Sequence, residues 1–105
     1  MSARDQGVAL DRLRRDWTPA LLAYLSRRQE AGLGSAYDLG RGAVADGLGI
    51  LDVLAVHHAV VVDVLRTARD VHEPPELVEG AAQFLLEALA PFEMTRRAYL
   101  EQSGA

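Results

Sequence analysis

Ile50-Leu51-Asp52-Val53-Leu54-Ala55-Val56-His57-His58-Ala59-Val60-Val61-Val62-Asp63-Val64-Leu65 is the stretch that decides how this chain folds. It reads as a helix over about 50–68, opened by Gly47-Leu48-Gly49 and closed by a polar turn at Arg69–Glu73. Ile50, Leu51, Val53, Leu54, Val56, Val60, Val61, Val62, Val64 and Leu65 populate nearly every side of that helix. A helix apolar almost all round has to be buried almost all round. In a chain with three other helices, one face stays uncovered unless a second subunit or a dedicated partner groove covers it, because a large exposed apolar patch is a liability. The competing reading is a central, fully packed helix in a monomer. A membrane span is excluded. The wider stretch from Ala43 to Leu65 holds Asp46, Asp52, His57, His58 and Asp63, and each aspartate at the bilayer centre would cost about 2.5–3.5 kcal/mol.

Outward from this stretch, three more helices are predicted and nothing asks for a strand. The first runs over about 8–30, with Leu10, Leu13, Trp17, Leu21 and Tyr24 on one face at spacings of three and four. Thr18-Pro19 puts a bend in it. Ala31-Gly32-Leu33-Gly34 is expected to end it, since glycine tolerates the left-handed conformation that closes helices. Ser35 with Asp38 then resembles a capping arrangement, and the second helix is expected over about 36–46. Gly40 and Gly42 cost this short helix up to about 1 kcal/mol each relative to alanine, so packing must hold it, and a tight helix crossing is the natural use of glycine there. Pro74-Pro75 opens the fourth helix, about 75–102, whose apolar positions are Val78, Ala81, Leu85, Ala88, Phe92 and Tyr99. Pro91 is expected to kink it near Leu89 or Ala90. Gly104-Ala105 reads as a frayed end or the start of a linker. Residues 1–105 are thus expected to form a single all-α domain, a four-helix bundle that is dimeric.

Composition narrows the function. The chain has 105 residues, about one domain's worth. It has no cysteine, which excludes disulfides, thiolate metal sites and cysteine nucleophiles and suits a reducing, cytoplasmic setting. The net charge of −4 argues against nucleic-acid binding. All 11 basic residues are arginines, and the pairs Arg14-Arg15, Arg27-Arg28 and Arg96-Arg97 are too dispersed to make a basic run. Met1-Ser2-Ala3-Arg4-Asp5 lacks the apolar core of a secretory signal.

No catalytic chemistry emerges. His57 and His58 are adjacent, so on a helix they point about 100° apart and cannot hold one ion from a single face. The helical metal spacing would want histidine at 61 or 62, where valine stands. His72 sits in a predicted turn without a carboxylate pair around it. Either His57 or His58 could serve as a phosphoacceptor of the kind found on dimeric sensor-kinase bundles, although neither has an acidic neighbour following it. The carboxylates are scattered, and no spacing selects the divergent pair that acid–base work requires. Gly32-Leu33-Gly34 and Gly40-Arg41-Gly42 lack the strand-to-helix context of a phosphate loop, and no serine sits in a nucleophile motif. A non-enzymatic protein that needs no cofactor and no metal is expected. Trp17, Tyr24, Phe84, Phe92 and Tyr99 fall on predicted core positions. Tyr37 differs: it stands near the start of the second helix beside Asp38 and Arg41, a composition suited to an interaction hot spot.

Ala36-Tyr37-Asp38-Leu39-Gly40-Arg41, then Gly47-Leu48-Gly49-Ile50-Leu51-Asp52-Val53-Leu54-Ala55-Val56-His57-His58, then Ala90-Pro91-Phe92-Glu93-Met94 resemble the N-terminal domain of RsbU-type serine phosphatases. The resemblance extends from about Leu21 to Leu100. It implies a dimeric KaiA/RsbU-like helical bundle that docks a serine-kinase-type switch protein in a partner-switching stress-response pathway, with a docking surface near Tyr37, Arg41, Asp52 and His57. The alternatives from other classes are a dimerisation and phosphotransfer domain of a sensor histidine kinase, using His57 or His58, and a purely structural dimerisation module. Nucleic acid and membrane are not expected partners.

Overall fold

Four helices follow one another in the computed structural model, which describes residues 3–67 and 74–103: α1 Ala3–Arg27, α2 Glu30–Ala45, α3 Ile50–Thr67 and α4 Pro74–Gln102. No strand occurs among the described residues, and the fold is an all-α four-helix bundle. His72, the turn expected at Arg69–Glu73 and the Gly104-Ala105 end lie outside the described residues. Helices α1 and α4 both pack against all the others, while α2 and α3 barely touch each other.

The core follows the helical period. Leu13, Trp17, Leu21 and Tyr24 point inward from α1, Val53, Val56, Val60 and Val64 from α3, and Leu77, Ala81, Phe84 and Ala88 from α4. Trp17 and Phe84 sit at the centre, both wholly inaccessible, with their rings edge to face at 5.2 Å and 76°. Such a pair contributes about 0.5–1.5 kcal/mol beyond the area it buries. Tyr24 packs beside Phe84 at 6.1 Å and donates its hydroxyl to Gln83 Oε1 at 2.8 Å. No buried side-chain nitrogen or oxygen among the described residues lacks a partner, as burial of polar groups requires.

The corner between α1 and α2 departs from the expectation. The chain does not turn at Ala31-Gly32-Leu33-Gly34; it turns at Arg28, whose φ of 52° is left-handed, and α2 already begins at Glu30. A non-glycine residue there costs about 1–3 kcal/mol and needs support from its surroundings. Arg28 has that support. Its N–H donates to the Tyr24 carbonyl at 2.6 Å, its guanidinium lies 5.5 Å over the Tyr24 ring, and Nη1 donates to the Glu76 carbonyl at 3.3 Å. Gly32 serves close approach instead, since a Cβ there would come within 2.8 Å of the Tyr24 ring. Ser35 lies inside α2 and turns its hydroxyl back to the Ala31 carbonyl, so it caps nothing.

At its other end α2 stops at the expected glycine. Gly47 is left-handed, with φ 77°. Its N–H donates to Val44 O at 3.1 Å, and Leu48 N–H donates to Ala43 O at 3.0 Å. This is the Schellman pattern, completed by the buried Leu48 packing back on the core. Helix α1 runs unbroken through Pro19, and α4 is helical on both sides of Pro91. Tyr99, expected in the core, is 68% exposed in the last turn of α4.

The inward face of α2 is made of Ala36, Gly40 and Ala43. A Cβ at Gly40 would fall on the Ala88 carbonyl oxygen and lie 2.8 Å from its carbon. That contact is backbone, which cannot swing aside. Gly40→Ala is therefore expected to destabilise the bundle by about 2 kcal/mol or more, despite the gain in helix propensity of about 1 kcal/mol. Gly34→Ala and Gly42→Ala, where a Cβ meets open space, should instead stabilise by up to about 1 kcal/mol. Urea unfolding of the three variants decides it, and equal effects at 40 and 42 would refute the crossing.

Candidate functional site

Helix α4 is flanked by two open grooves of different chemistry. The first lies between α2 and α4. It has a volume of about 250 Å³ and is lined by Tyr37, Arg41, Val44, Pro91, Met94 and Thr95. Tyr37 and Arg41 are one helical turn apart and so share a face of α2. The Tyr37 hydroxyl donates to Met94 Sδ at 3.3 Å, holding the half-buried ring across the groove. Arg41 is exposed, and its guanidinium has no ion-pair partner among the described residues. An apolar side chain can lie in the groove beside the Tyr37–Met94 contact while a neighbouring carboxylate takes two hydrogen bonds from Arg41.

The second groove lies between α3 and α4. It measures about 410 Å³ and is lined by Leu54, His57, His58, Val61, Val78, Ala81, Ala82 and Leu85. The outer face of α3 carries Leu51, Leu54, His58, Val61 and Leu65, in steps of three and four. The neighbouring face of α4 carries Val78, Ala82, Leu85, Leu89 and Phe92 in the same alternation. That is the spacing of a coiled-coil seam. Leu51 is 78% exposed, Val78 52% and Leu65 42%, so the chain leaves much of the seam uncovered. The helix expected to be buried all round thus has two working faces: Val53, Val56, Val60 and Val64 inward, and the seam outward.

The histidines divide between these faces. His57 is half-buried, and its Nδ1 accepts the Trp17 Nε1–H at 3.3 Å, with the ring centroids 5.7 Å apart in a T-shaped arrangement. This bond requires Nδ1 to be unprotonated. Burial, with the adjacent His58 adding to it, holds the His57 pKa below the ordinary imidazole value. His58 is exposed in the middle of the outer seam. Asp52 plays another part, since its Oδ2 accepts the Gly49 N–H at 2.9 Å and caps the first turn of α3.

Of the four residues singled out in the sequence, the fold brings Tyr37 and Arg41 together, places His57 in the other groove, and puts Asp52 at the start of α3. Sequence reasoning passed over Met94, Pro91 and Thr95 as groove residues, and it missed the outer seam. The alternation of three and four was legible for the seam; for Met94 nothing pointed across the bundle. Among the described residues no group of three or more histidine, aspartate or glutamate side chains could hold a metal ion. No described helix is long and apolar enough to cross a membrane.

A family model described as the N-terminal domain of the phosphoserine phosphatase RsbU matches residues 15–95. Neither the comparison with curated proteins nor that with solved structures yields a match. The matched span contains every residue that lines the two grooves, from Tyr37 to Thr95.

The Trp17–His57 bond predicts a pH dependence. The folded pKa of His57 lies below the unfolded one, near 6.5, so the unfolded chain takes up the proton first. Stability is full above about pH 6.5 and is lost as pH falls through the lower folded value. His57→Leu should remove this dependence and cost about 1–3 kcal/mol at pH 7.5, because the Trp17 N–H is left buried without an acceptor. Urea midpoints between pH 5 and 8 test both parts; an unchanged acid slope in the variant would refute the assignment.

Proposed function

The chain belongs to the RsbU N-terminal domain family, a regulatory and non-catalytic domain of RsbU-type phosphatases in partner-switching systems, and on that premise we propose that it is a homodimeric cytoplasmic module that docks a serine-kinase-type switch protein. The observation that carries the proposal is the pair of unfilled faces on either side of α4. The α3/α4 seam has the self-complementary apolar spacing that a second copy fits, and its groove lining contains no carboxylate or guanidinium. The α2/α4 groove combines an aromatic ring, a flexible methionine and a free arginine, the composition of a docking hot spot.

In this reading Tyr37 and Arg41 touch the switch protein. Asp52 and His57 contribute from α3 as positioning residues, one by holding its first turn and the other by fixing its place against Trp17. Because both grooves share α4 as a wall, a partner seated in one is in contact with the helix that forms the other. Docking can therefore favour one packing of the dimer over another, to the extent that the partner binds the two packings with different affinity.

Light scattering should give the mass of a dimer, and Leu54→Arg, which places a charge in the seam, should give a monomer. Calorimetric titration against switch-kinase homologues of the host should show binding that Tyr37→Ala or Arg41→Ala each weakens by about tenfold or more. A dimer that binds no such kinase would refute docking. Binding indifferent to both substitutions would move the surface elsewhere.

A further inference from the structure

We propose that Met94 is a site of reversible oxidation by peroxide, and that its sulfoxide closes the α2/α4 groove to an apolar side chain of a partner. The effect on docking rests on the docking proposal; the oxidation site itself does not. The chain contains no cysteine, and its sulfur atoms are those of Met1 and Met94. Met1 lies outside the described residues. Met94 is 57% exposed and lines the open groove with Tyr37, Arg41, Pro91 and Thr95. A peroxide reaches it from solvent, whereas the single tryptophan, Trp17, is wholly buried.

The geometry directs the reaction to one side of the sulfur. A thioether sulfur carries two lone pairs, and oxidation at one or the other gives the two sulfoxide epimers. The Tyr37 hydroxyl donates to Met94 Sδ at 3.3 Å, so one lone pair is engaged and the other is left for the oxidant. That free pair attacks one oxygen of hydrogen peroxide. The O–O bond breaks, an S–O bond forms, and the second oxygen leaves with both hydrogens as water. Sulfur gives up the two electrons that the peroxide takes. A dithiol reductase reverses the step, returning the thioether and water and ending as its own disulfide. The sulfoxide oxygen is a strong acceptor where the sulfur was a weak one. Tyr37 keeps a partner, and Arg41, one turn along α2 in the same groove, offers further donors. An apolar side chain entering the groove then has to strip water from the S–O group without replacing its hydrogen bonds, which opposes binding.

The test treats the full chain with hydrogen peroxide, removes the oxidant and locates the added oxygen by mass spectrometry. Cleavage after arginine separates Met94 from Met1, and circular dichroism follows the helix content of the same samples. The epimers are assigned with the two methionine sulfoxide reductases, each of which reduces one of them. One epimer at Met94 is expected in excess by about fivefold, the worth of one hydrogen bond. Tyr37→Phe, which lacks the donor, should give both in similar amounts. Titrated against the switch-kinase homologues, the oxidised chain should show a Kd higher by about tenfold or more, restored by the reductase that acts on it. Met94→Leu, apolar and without an oxidisable sulfur, should bind alike before and after peroxide. Equal epimers in the unaltered chain, or a Met94 left unoxidised while Met1 reacts, overturns the site. An oxidised, still helical chain that binds as well as the reduced one overturns the closure of the groove, as does a Met94→Leu chain that loses binding after peroxide. A reduced chain that binds no kinase overturns the docking proposal and the effect on it together, while the epimer ratio still decides the site.

Discussion

Where Gly40 lies against the Ala88 carbonyl, α2 and α4 come so close that no side chain fits between them, and this crossing fixes which faces of α4 remain open. A helix has only a few sides to offer its neighbours. Helix α4 spends one side on α2 and another on the aromatic core of α1, where Phe84 meets Trp17 and Tyr24. What remains is a strip beside α3 and a strip beyond the short side chains of α2, and both grooves lie on those strips. Small residues on α2 thus do more than allow close packing. They draw α2 inward, so that Tyr37, one turn before Gly40, reaches across to Met94.

The two open strips differ in the kind of binding energy they can supply. Burying a leucine or valine side chain contributes about 1.5–3 kcal/mol, and the outer seam holds several of them exposed on adjacent helices. An exposed ion pair contributes about 0–1 kcal/mol. A seam of leucine and valine without charge therefore suits a permanent partner with the same period, for which a second copy of the chain is the simplest source. The α2/α4 groove is smaller, and its free arginine rewards a carboxylate at the right place more than it rewards contact area. Such a balance suits selective and reversible contact more than permanent burial.

The parts of this fold that were legible in the sequence are those governed by periodicity and by glycine in its left-handed role. The inward face of α1, the Gly47 stop and the start of α4 at the paired prolines all follow from such local rules. The α1–α2 corner was not legible, because a tertiary contact overrode a local preference: Arg28 takes the strained conformation and is held there by the Tyr24 ring and the Glu76 carbonyl. With the turn moved to Arg28, the glycines at 32 and 34 became helix interior and Ser35 lost its capping role. The site was half legible for the same reason. The i to i+4 spacing of Tyr37 and Arg41 is a local fact, whereas the meeting of Tyr37 with Met94, across 57 positions, is decided by how α2 crosses α4.

The adjacent histidines show how much two neighbouring positions on one helix can differ. A step of one residue turns a side chain through about 100°, which is enough to carry His57 toward Trp17 and His58 onto the outer seam. The first imidazole belongs to the fold, because the indole N–H at the centre of the bundle has it as acceptor and the alternative is a buried donor left unsatisfied. The second is exposed, with leucine and valine before and after it along its seam. The same turn of α3 therefore serves the core through one histidine and the outer face through the other.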